Sequence, residues 1–184
     1  MANLAVRETT LPGFFEVDLS IHGDERGWFK ENYQQAKLEV LGLPHFEIIQ
    51  NNISFNIERG VTRGFHAEPW EKFISVAAGS VFAAFVDLRA GSTFGQLLTL
   101  TITPDKAVFV PRGVANAYQT LESNTCYTYL VNAHWSPDRV YPSVNLFDPA
   151  LNIPWPYGED CAIVSLKDQK LPMLADIQPL EFNQ

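Results

Sequence analysis

The sequence predicts a mainly β protein, built as a sandwich or a barrel. Its apolar segments are short and rich in Val, Ile, Thr, Phe and Tyr, the residue types that are enriched in strands. Turn signals such as HGDERG, RAGSTFG and TPDK separate these segments. Long helical patterns between the strands are missing from the sequence, so a parallel α/β sheet is disfavoured.

The segments can be followed in order along the chain. The run LTLTIT alternates as a half-buried strand should, and helical periodicity is confined to positions 34–41 and the few residues before Pro172. The stretch FDPALNIPWPYG is too rich in Leu, Ile, Trp and Tyr for a flexible linker, so we expect it to pack on the barrel. The predicted strands are GFFEV, GWFKENY, FEIIQNNISF, GVTRGFH, EKFISVAA, VFAAFVDLR, QLLTLTIT, AVFVP, AYQTL and CYTYLVN.

Length and composition limit the classes of protein that the chain can belong to. Its 184 residues, 46% of them hydrophobic and 18% charged, predict one folded domain spanning 1–184. A net charge of −8 disfavours nucleic acid as a partner, because nucleic-acid binding needs a basic surface. No apolar run is long enough to cross a membrane, and the N-terminus has no signal-peptide pattern. We therefore expect a cytoplasmic protein in which Cys126 and Cys161 are reduced thiols.

A metal site is the first hypothesis for His66, which ends a predicted strand. Metal-binding cupins, which are β-barrels, carry a glycine followed after five residues by His-x-His, and later Pro-x-Gly-x-x-His. Gly60 and His66 fit the first spacing, but Glu68 stands at the position of the second histidine. In PRGVAN, Asn116 replaces the histidine of the second motif, and an amide is a poor ligand for a transition metal. We therefore predict no metal.

A catalytic base is the second hypothesis for His66. Removing a proton next to a carbonyl group requires a base, a cation to hold the developing enolate, an acid to return the proton, and a carboxylate to orient the imidazole. Lys72, Tyr127 or Tyr129, and Asp148 are candidates for these roles. Each also has a purely structural interpretation: a lysine at a strand end, interior aromatic residues, and an aspartate that starts a turn before proline.

Strand geometry adds one condition to this hypothesis. Strict alternation places Arg63 and His66 on opposite faces of the same strand. Gly64 lies between them and permits a bulge or a twist. If both side chains serve one cavity, the strand is predicted to be irregular at Gly64.

A family resemblance makes these candidates specific. The segments HGDERGWFKENY, IQNNISF, RGVTRGFHAEPWEKFISV, VDLRAGSTFGQ, VPRGVANAYQTL and NLFDPALNIPWP, in this order, resemble the dTDP-4-dehydrorhamnose 3,5-epimerases from Pro12 to the end of the chain. The resemblance implies a cupin-like jelly roll, a β-barrel or sandwich with a few short helices. It also implies a homodimer formed by strand exchange, with no metal or organic cofactor.

The resemblance implies a role for each matching residue. His66 matches the family's catalytic base, Asp148 the carboxylate paired with it, Lys72 the lysine at the C4 oxygen of the sugar, and Tyr129 the general acid. Further positions match residues that hold the nucleotide sugar or line its pocket, some of them reaching the site of the partner subunit. These are Arg26, Phe29, Glu31, Gln50, Asn52, Arg63, Asn116 and Trp135.

The implied reaction converts dTDP-4-dehydro-6-deoxy-D-glucose to dTDP-4-dehydro-L-rhamnose by inverting C3 and C5. The chain departs from many family members at Asn116, which stands for a histidine, at Leu130, which stands for a lysine, and at Trp135, which stands for a tyrosine. These departures concern the sugar pocket more than the reaction. Three alternatives remain open: an epimerase acting at C3 or C5 alone, a cupin-like ketoisomerase, and a barrel that binds sugar nucleotides without catalysis.

Overall fold

A computed structural model describes residues 3–182 of the chain. Its strands form two mainly antiparallel sheets and one separate hairpin, and its helices are short. The predicted domain 1–184 includes Met1, Ala2, Asn183 and Gln184, which lie outside the described residues. The strands are β1 (Ala5–Glu8), β2 (Phe15–Asp18), β3 (Ile21–Asp24), β4 (Gly27–Lys30), β5 (Gln50–Asn56), β6 (Val61–His66), β7 (Lys72–Ala78), β8 (Val81–Asp87), β9 (Leu97–Ile102), β10 (Lys106–Val110), β11 (Val114–Thr120), β12 (Thr125–Val131) and β13 (Ile163–Val164).

The strand order is that of a jelly roll, which confirms the predicted mainly β, cupin-like fold. The six-stranded sheet has the order β1-β2-β10-β7-β12-β5, and the five-stranded sheet has the order β13-β6-β11-β8-β9. Strands β3 and β4 form a separate hairpin. Among the named strands of residues 3–182, β13 and β6 pair in parallel, and all other pairs are antiparallel.

The core has three layers because each sheet has apolar residues on both faces. The first cluster fills the space between the sheets and includes Ile74, Phe85 and Tyr127. The second lies outside the five-stranded sheet, where Leu151 and Trp155 of the segment FDPALNIPWPYG join Phe65 in one cluster. The predicted packing of that segment on the barrel is thereby confirmed. A third cluster lies outside the six-stranded sheet.

The helix α1 (Gln35–Val40) belongs to the third cluster through the buried Leu38. The Gln34 side chain caps its first turn by accepting a hydrogen bond from the Lys37 backbone N–H at 2.6 Å. The second predicted helical stretch is a 3-10 turn at Asp168–Lys170, followed by another at Leu174–Asp176. Within residues 3–182, no helix has the length and apolar character needed to cross a bilayer.

Candidate active site

A cavity of about 640 Å³ opens between the two sheets, at the end where β5, β6, β7, β11 and β12 come together. Side chains from these strands and from the C-terminal segment line it. Three of the four predicted catalytic residues are among them: His66 at the end of β6, Lys72 at the start of β7 and Tyr129 in β12. The fourth, Asp148, is not among the residues that line this cavity.

The His66 imidazole lies between a carboxylate and a hydroxyl group. Its Nε2 is 3.4 Å from Oδ1 of Asp168, and its Nδ1 is 3.0 Å from Oγ of Ser143. The Ser143 hydroxyl is also 3.0 Å from the carbonyl oxygen of Tyr141, to which it can donate. When the imidazole is protonated, each ring nitrogen has an acceptor: Nε2–H faces the Asp168 carboxylate, and Nδ1–H faces the Ser143 oxygen.

Asp168 reaches His66 because the C-terminal segment folds back onto β6. Strand β13 pairs with β6 in parallel, and Asp168 begins the 3-10 turn that follows. Burial alone would raise the pKa of Asp168, but contacts with His66, the Ser165 hydroxyl and the Gly64 backbone N–H together bring the pKa below its usual value. The carboxylate is therefore ionised at neutral pH.

The predicted pairing of Asp148 with His66 is wrong. The Asp148 carboxylate accepts hydrogen bonds from two backbone N–H groups, that of Ala150 at 2.8 Å and that of Leu174 at 2.6 Å. These bonds fix the turn before Pro149 and tie it to the C-terminal segment. Asp148 thus has the structural role considered as its alternative, and Asp168 occupies the place expected for it.

Lys72 is held by two other side chains of the cavity. Its ammonium forms an ion pair with Glu68 and donates a hydrogen bond to Oδ1 of Asn116. The Lys72 side chain is only 5% exposed and that of Glu68 is 14% exposed. Asn116, predicted to contact substrate, lies opposite His66 in the pairing of β11 with β6.

Three tyrosines form one wall of the same cavity. Tyr118 and Tyr127 stack with ring centroids 4.0 Å apart, and the centroid of Tyr129 is 6.0 Å from that of Tyr127. Burial raises the pKa of the Tyr129 phenol, Glu68 and Tyr118 raise it further, and Arg63 acts in the opposite direction. Tyr129 is therefore a neutral phenol with a proton to donate at neutral pH.

Strand β6 is irregular at the position that the sequence predicted. Three residue steps from Arg63 to His66 face only two steps from Tyr118 to Asn116, so β6 carries an extra residue there. Gly64 has φ of +121°, and the Gly64–Phe65 peptide bond is cis. Arg63 and His66 both line the cavity as a result, which confirms the predicted break in alternation.

The remaining predicted binding residues lie outside the cavity of this chain. Gln50 and Asn52 are hydrogen-bonded to each other at 2.7 Å on β5, and Asn52 pairs directly with Tyr129 across the strands. Trp135 is 54% exposed. In the β3–β4 hairpin and just after it, Arg26 pairs with Asp24, Phe29 is exposed and Glu31 pairs with Lys37.

Two residues of the cavity that the sequence did not indicate are Asp168 and Glu68. Asp168 lies in SLKDQK, a polar run that reads like an exposed turn. Glu68 was noted only as the replacement of a metal-binding histidine. Within residues 3–182 no cluster of three or more His, Cys, Asp or Glu side chains is arranged to hold a metal ion.

Comparison with known proteins identifies the family. A family model described as dTDP-4-dehydrorhamnose 3,5-epimerase matches residues 8–176. A protein named RmlC homolog from Streptococcus pyogenes is 47% identical over 186 residues, which cover 97% of this chain and 93% of the relative.

Solved structures agree with this match. The structure of RmlC from Streptococcus suis in complex with dTDP-D-xylose is 46% identical and has a TM-score of 0.93, covering 97% of this chain and 95% of its own. The Legionella pneumophila dTDP-6-deoxy-D-glucose-3,5-epimerase RmlC, in complex with dTDP-4-keto-L-rhamnose, is 29% identical with a TM-score of 0.86, covering 98% and 100%. The predicted enzyme class, an isomerase that epimerises sugars, is confirmed. The chain belongs to the dTDP-4-dehydrorhamnose 3,5-epimerase family.

Proposed function

We propose that the protein converts dTDP-4-dehydro-6-deoxy-D-glucose to dTDP-4-dehydro-L-rhamnose by inverting C3 and C5. One observation carries the proposal: an imidazole paired with a carboxylate, a buried ammonium and a neutral phenol line the same cavity. These are the groups that proton transfer next to a ketone requires. The S. suis and L. pneumophila structures, which contain dTDP sugars, support a ligand of this class.

In this proposal His66 is the base. The hydrogens on C3 and C5 are acidic because the ketone at C4 accepts the electron pair that each leaves behind. Asp168 holds one imidazole nitrogen in its protonated form, so the other nitrogen takes the proton from carbon. The imidazolium that forms is stabilised by the same carboxylate.

Lys72 stabilises the enolate oxygen on C4 while the proton is on His66. A donor aimed at developing charge in a cavity that excludes water contributes about 3–4 kcal/mol to the stability of the transition state. Lys72 is suited to this role because its side chain is almost fully buried and lines the cavity.

Tyr129 returns a proton to C5 from the opposite face of the ring. Its phenol lies in the tyrosine wall, and its raised pKa keeps it protonated at neutral pH. Delivery from the face opposite the base inverts the carbon, whereas return from His66 would restore it. The donor at C3 is left open between Tyr129 and water.

Arg63 is the group proposed to receive the diphosphate. It lines the cavity, and its Nε donates to the amide oxygen of Asn56 at 3.0 Å. This bond uses one N–H of the guanidinium, and the remaining four can bind phosphate oxygens.

The proposal is tested by incubating the enzyme with dTDP-4-dehydro-6-deoxy-D-glucose in deuterated water. NMR should show deuterium at both C3 and C5 and the L-rhamno configuration of the product. Inversion of one carbon alone would indicate the 3- or 5-epimerase alternative, a moved carbonyl would indicate a ketoisomerase, and an unlabelled sugar would indicate a binding protein. His66→Asn should abolish incorporation at both positions.

The role of Tyr129 has a separate test. Tyr129→Phe should retain deuterium exchange at C3 and lose most inversion at C5, because removal of the C5 proton still occurs but its delivery from the opposite face does not. The ratio of exchange to inversion at each carbon, measured by NMR, is the readout. Equal and small effects at both carbons would remove Tyr129 from the role of acid.

We also propose that the active molecule is a homodimer. Strand β5 lies at the edge of the six-stranded sheet and leaves Ile53 and Phe55 exposed by 67% and 57%, with Ile57 beyond its end exposed by 67%. An exposed apolar edge strand of this kind favours pairing with a second chain. The roles predicted for Arg26, Phe29 and Glu31 across such an interface, the single-domain organisation and the cytoplasmic location stay predictions.

A further inference from the structure

The contacts around Lys72 go beyond what proton transfer requires. Glu68 follows β6 and precedes Lys72 by four residues, and its carboxylate contacts the Lys72 ammonium. Asn116 comes from the neighbouring strand β11, and its Oδ1 accepts a hydrogen bond from the same Nζ. All three side chains line the active-site cavity. The ammonium is thus fixed from two sides by two separate parts of the chain.

These contacts hold the Lys72 ammonium in place before a substrate binds. A lysine ammonium has three N–H donors; one donates to Asn116, and the ion pair with Glu68 holds the charge from a second side. A flexible lysine would lose side-chain freedom when it meets a substrate, whereas this one is already held in place. The Lys72 side chain is 5% exposed, so its surroundings leave the ammonium little room to move.

The positions of Glu68 and Asn116 support this interpretation. They are the positions at which the cupin spacing would place metal-binding histidines, and His66 lies directly across the strand pair from Asn116. The structure brings an ammonium, in place of a metal ion, next to both residues. An acidic and an amide oxygen are suitable partners for an ammonium, which offers donors only.

We propose that Glu68 and Asn116 are positioning residues that hold the Lys72 ammonium where it can donate to the carbonyl oxygen of the sugar. The inference rests on the proposed function, because it assumes an enolate at that oxygen. Stabilisation of an enolate requires a donor placed in advance at the position of the developing charge. Loss of either partner should therefore reduce the rate of proton transfer more than the binding of the nucleotide sugar.

The first experiment compares Glu68→Gln with the matched control Glu71→Gln. Glu71 lies three residues away, and its carboxylate contacts Arg112 and Asn132, outside the cavity. Glu68→Gln should lower kcat by about 10- to 100-fold, the size expected when a catalytic group is displaced. KM and the affinity for dTDP should stay within about 3-fold, and Glu71→Gln should behave as the wild type. Tighter dTDP binding with unchanged kcat would overturn the proposal and assign Glu68 to charge balance alone.

A double-mutant cycle with Lys72→Met tests whether Glu68 acts through the ammonium. In the Lys72→Met background, Glu68→Gln should change the rate of deuterium exchange by less than about 2-fold, because no ammonium remains to be positioned. An equal loss in both backgrounds would overturn the proposal. The double variant also removes both buried charges, so neither is left without its partner.

Asn116→Ala provides a second test if Glu68→Gln does not fold. It removes the other acceptor without changing the charge of the cavity and should also lower kcat with little change in KM. Failure of the proposed function is distinguishable from failure of this inference. If the wild type exchanges no hydrogen at C3 or C5, the proposed function is wrong; if the wild type exchanges them and both variants do so equally fast, only the positioning role is wrong.

Discussion

Asp168 is the residue that completes the proposed base, and its position explains why an aspartate chosen from sequence was the wrong one. Asp148 and Asp168 both precede turns, and both are buried in the folded chain. Their partners separate them: Asp148 accepts hydrogen bonds from backbone N–H groups, whereas Asp168 faces His66. The pairing of β13 with β6 brings Asp168 next to His66. Local residue patterns carry no information about this long-range pairing.

The first prediction concerns Asp168. Asp168→Asn should lower kcat on the order of 10²- to 10⁴-fold, because an amide neither selects the required imidazole tautomer nor stabilises the imidazolium. Steady-state kinetics measures the change. Asp148→Asn is the control: it should lower the melting temperature through weakened backbone contacts and retain most of kcat. The reverse outcome would return the carboxylate role to Asp148.

The second prediction concerns Gly64. A Cβ at this position would lie 2.6 Å from both Ala117 Cβ and the Asn116 carbonyl oxygen, and φ of +121° is unsuitable for a side chain. Gly64→Ala should therefore lower the free energy of unfolding by about 3–5 kcal/mol. Gly158→Ala, where a Cβ meets nothing within 4 Å, should change it by about 0.5 kcal/mol or less. Chemical denaturation measures both values, and equal stability of the two variants would contradict the steric argument.

At the scale of the elements, the alternation of apolar residues and the turn signals were sufficient to predict ten strands and the helix near Gln34. Strands β1, β3 and β13 were missed. Strand β3 contains the Gly23–Asp24 pair that indicates a turn in the sequence, and β13 has only two residues, whose pairing with β6 depends on the whole fold. Short strands without a repeat of alternation lack the signal that identifies the longer ones.

Lys30 holds the β3–β4 hairpin to the barrel. The third prediction concerns the protonation of this lysine. Its Nζ donates to the carbonyl oxygens of Val76 and Pro104, each at 2.8 Å. Burial lowers the pKa of Lys30 from 10.5 to about 8, while Asp105 acts in the opposite direction. Above about pH 8 the folded protein therefore releases a proton that the unfolded chain still holds.

The sign of the pH dependence follows from this difference. Where the unfolded state binds more protons, the free energy of unfolding rises with pH, so Lys30 should make the protein more stable as pH increases from about 8 toward 10. Denaturant titrations at neutral and alkaline pH should show this contribution in the wild type and in Lys37→Met, whose lysine lies on α1 and pairs with Glu31. Lys30→Met should lack it. An unchanged slope in Lys30→Met would rule out Lys30 as its source.

At the scale of the whole molecule, the fourth prediction concerns assembly. Ile53→Glu places a charge in the exposed apolar edge of β5 and should convert the proposed dimer to a monomer, because a buried unpaired carboxylate is costly. Val140 is 98% exposed and lies in a loop, so Val140→Glu should leave the dimer intact. Analytical ultracentrifugation measures both. A wild type that sediments as a monomer would contradict the proposed homodimer.

The general arrangement of the cavity was predictable because three predicted residues that line it, His66, Lys72 and Tyr129, lie on strands whose sequence patterns are clear. The partners of those residues were not predictable in the same way. Glu68 and Asn116 meet Lys72 only when β6 and β11 of one sheet face β7 of the other. The tyrosine wall likewise forms only when the two sheets face each other. These are properties of packing, which a local pattern does not specify.

The parallel pairing of β13 with β6 makes the proposed base depend on the last part of the described chain. His66, Lys72 and Tyr129 belong to β6, β7 and β12, but Asp168 follows β13. A variant truncated after Val164 would retain all three of these side chains and lose the carboxylate. We expect such a variant to exchange hydrogens next to the ketone more slowly than the full chain, because its imidazole lacks the partner that stabilises the imidazolium.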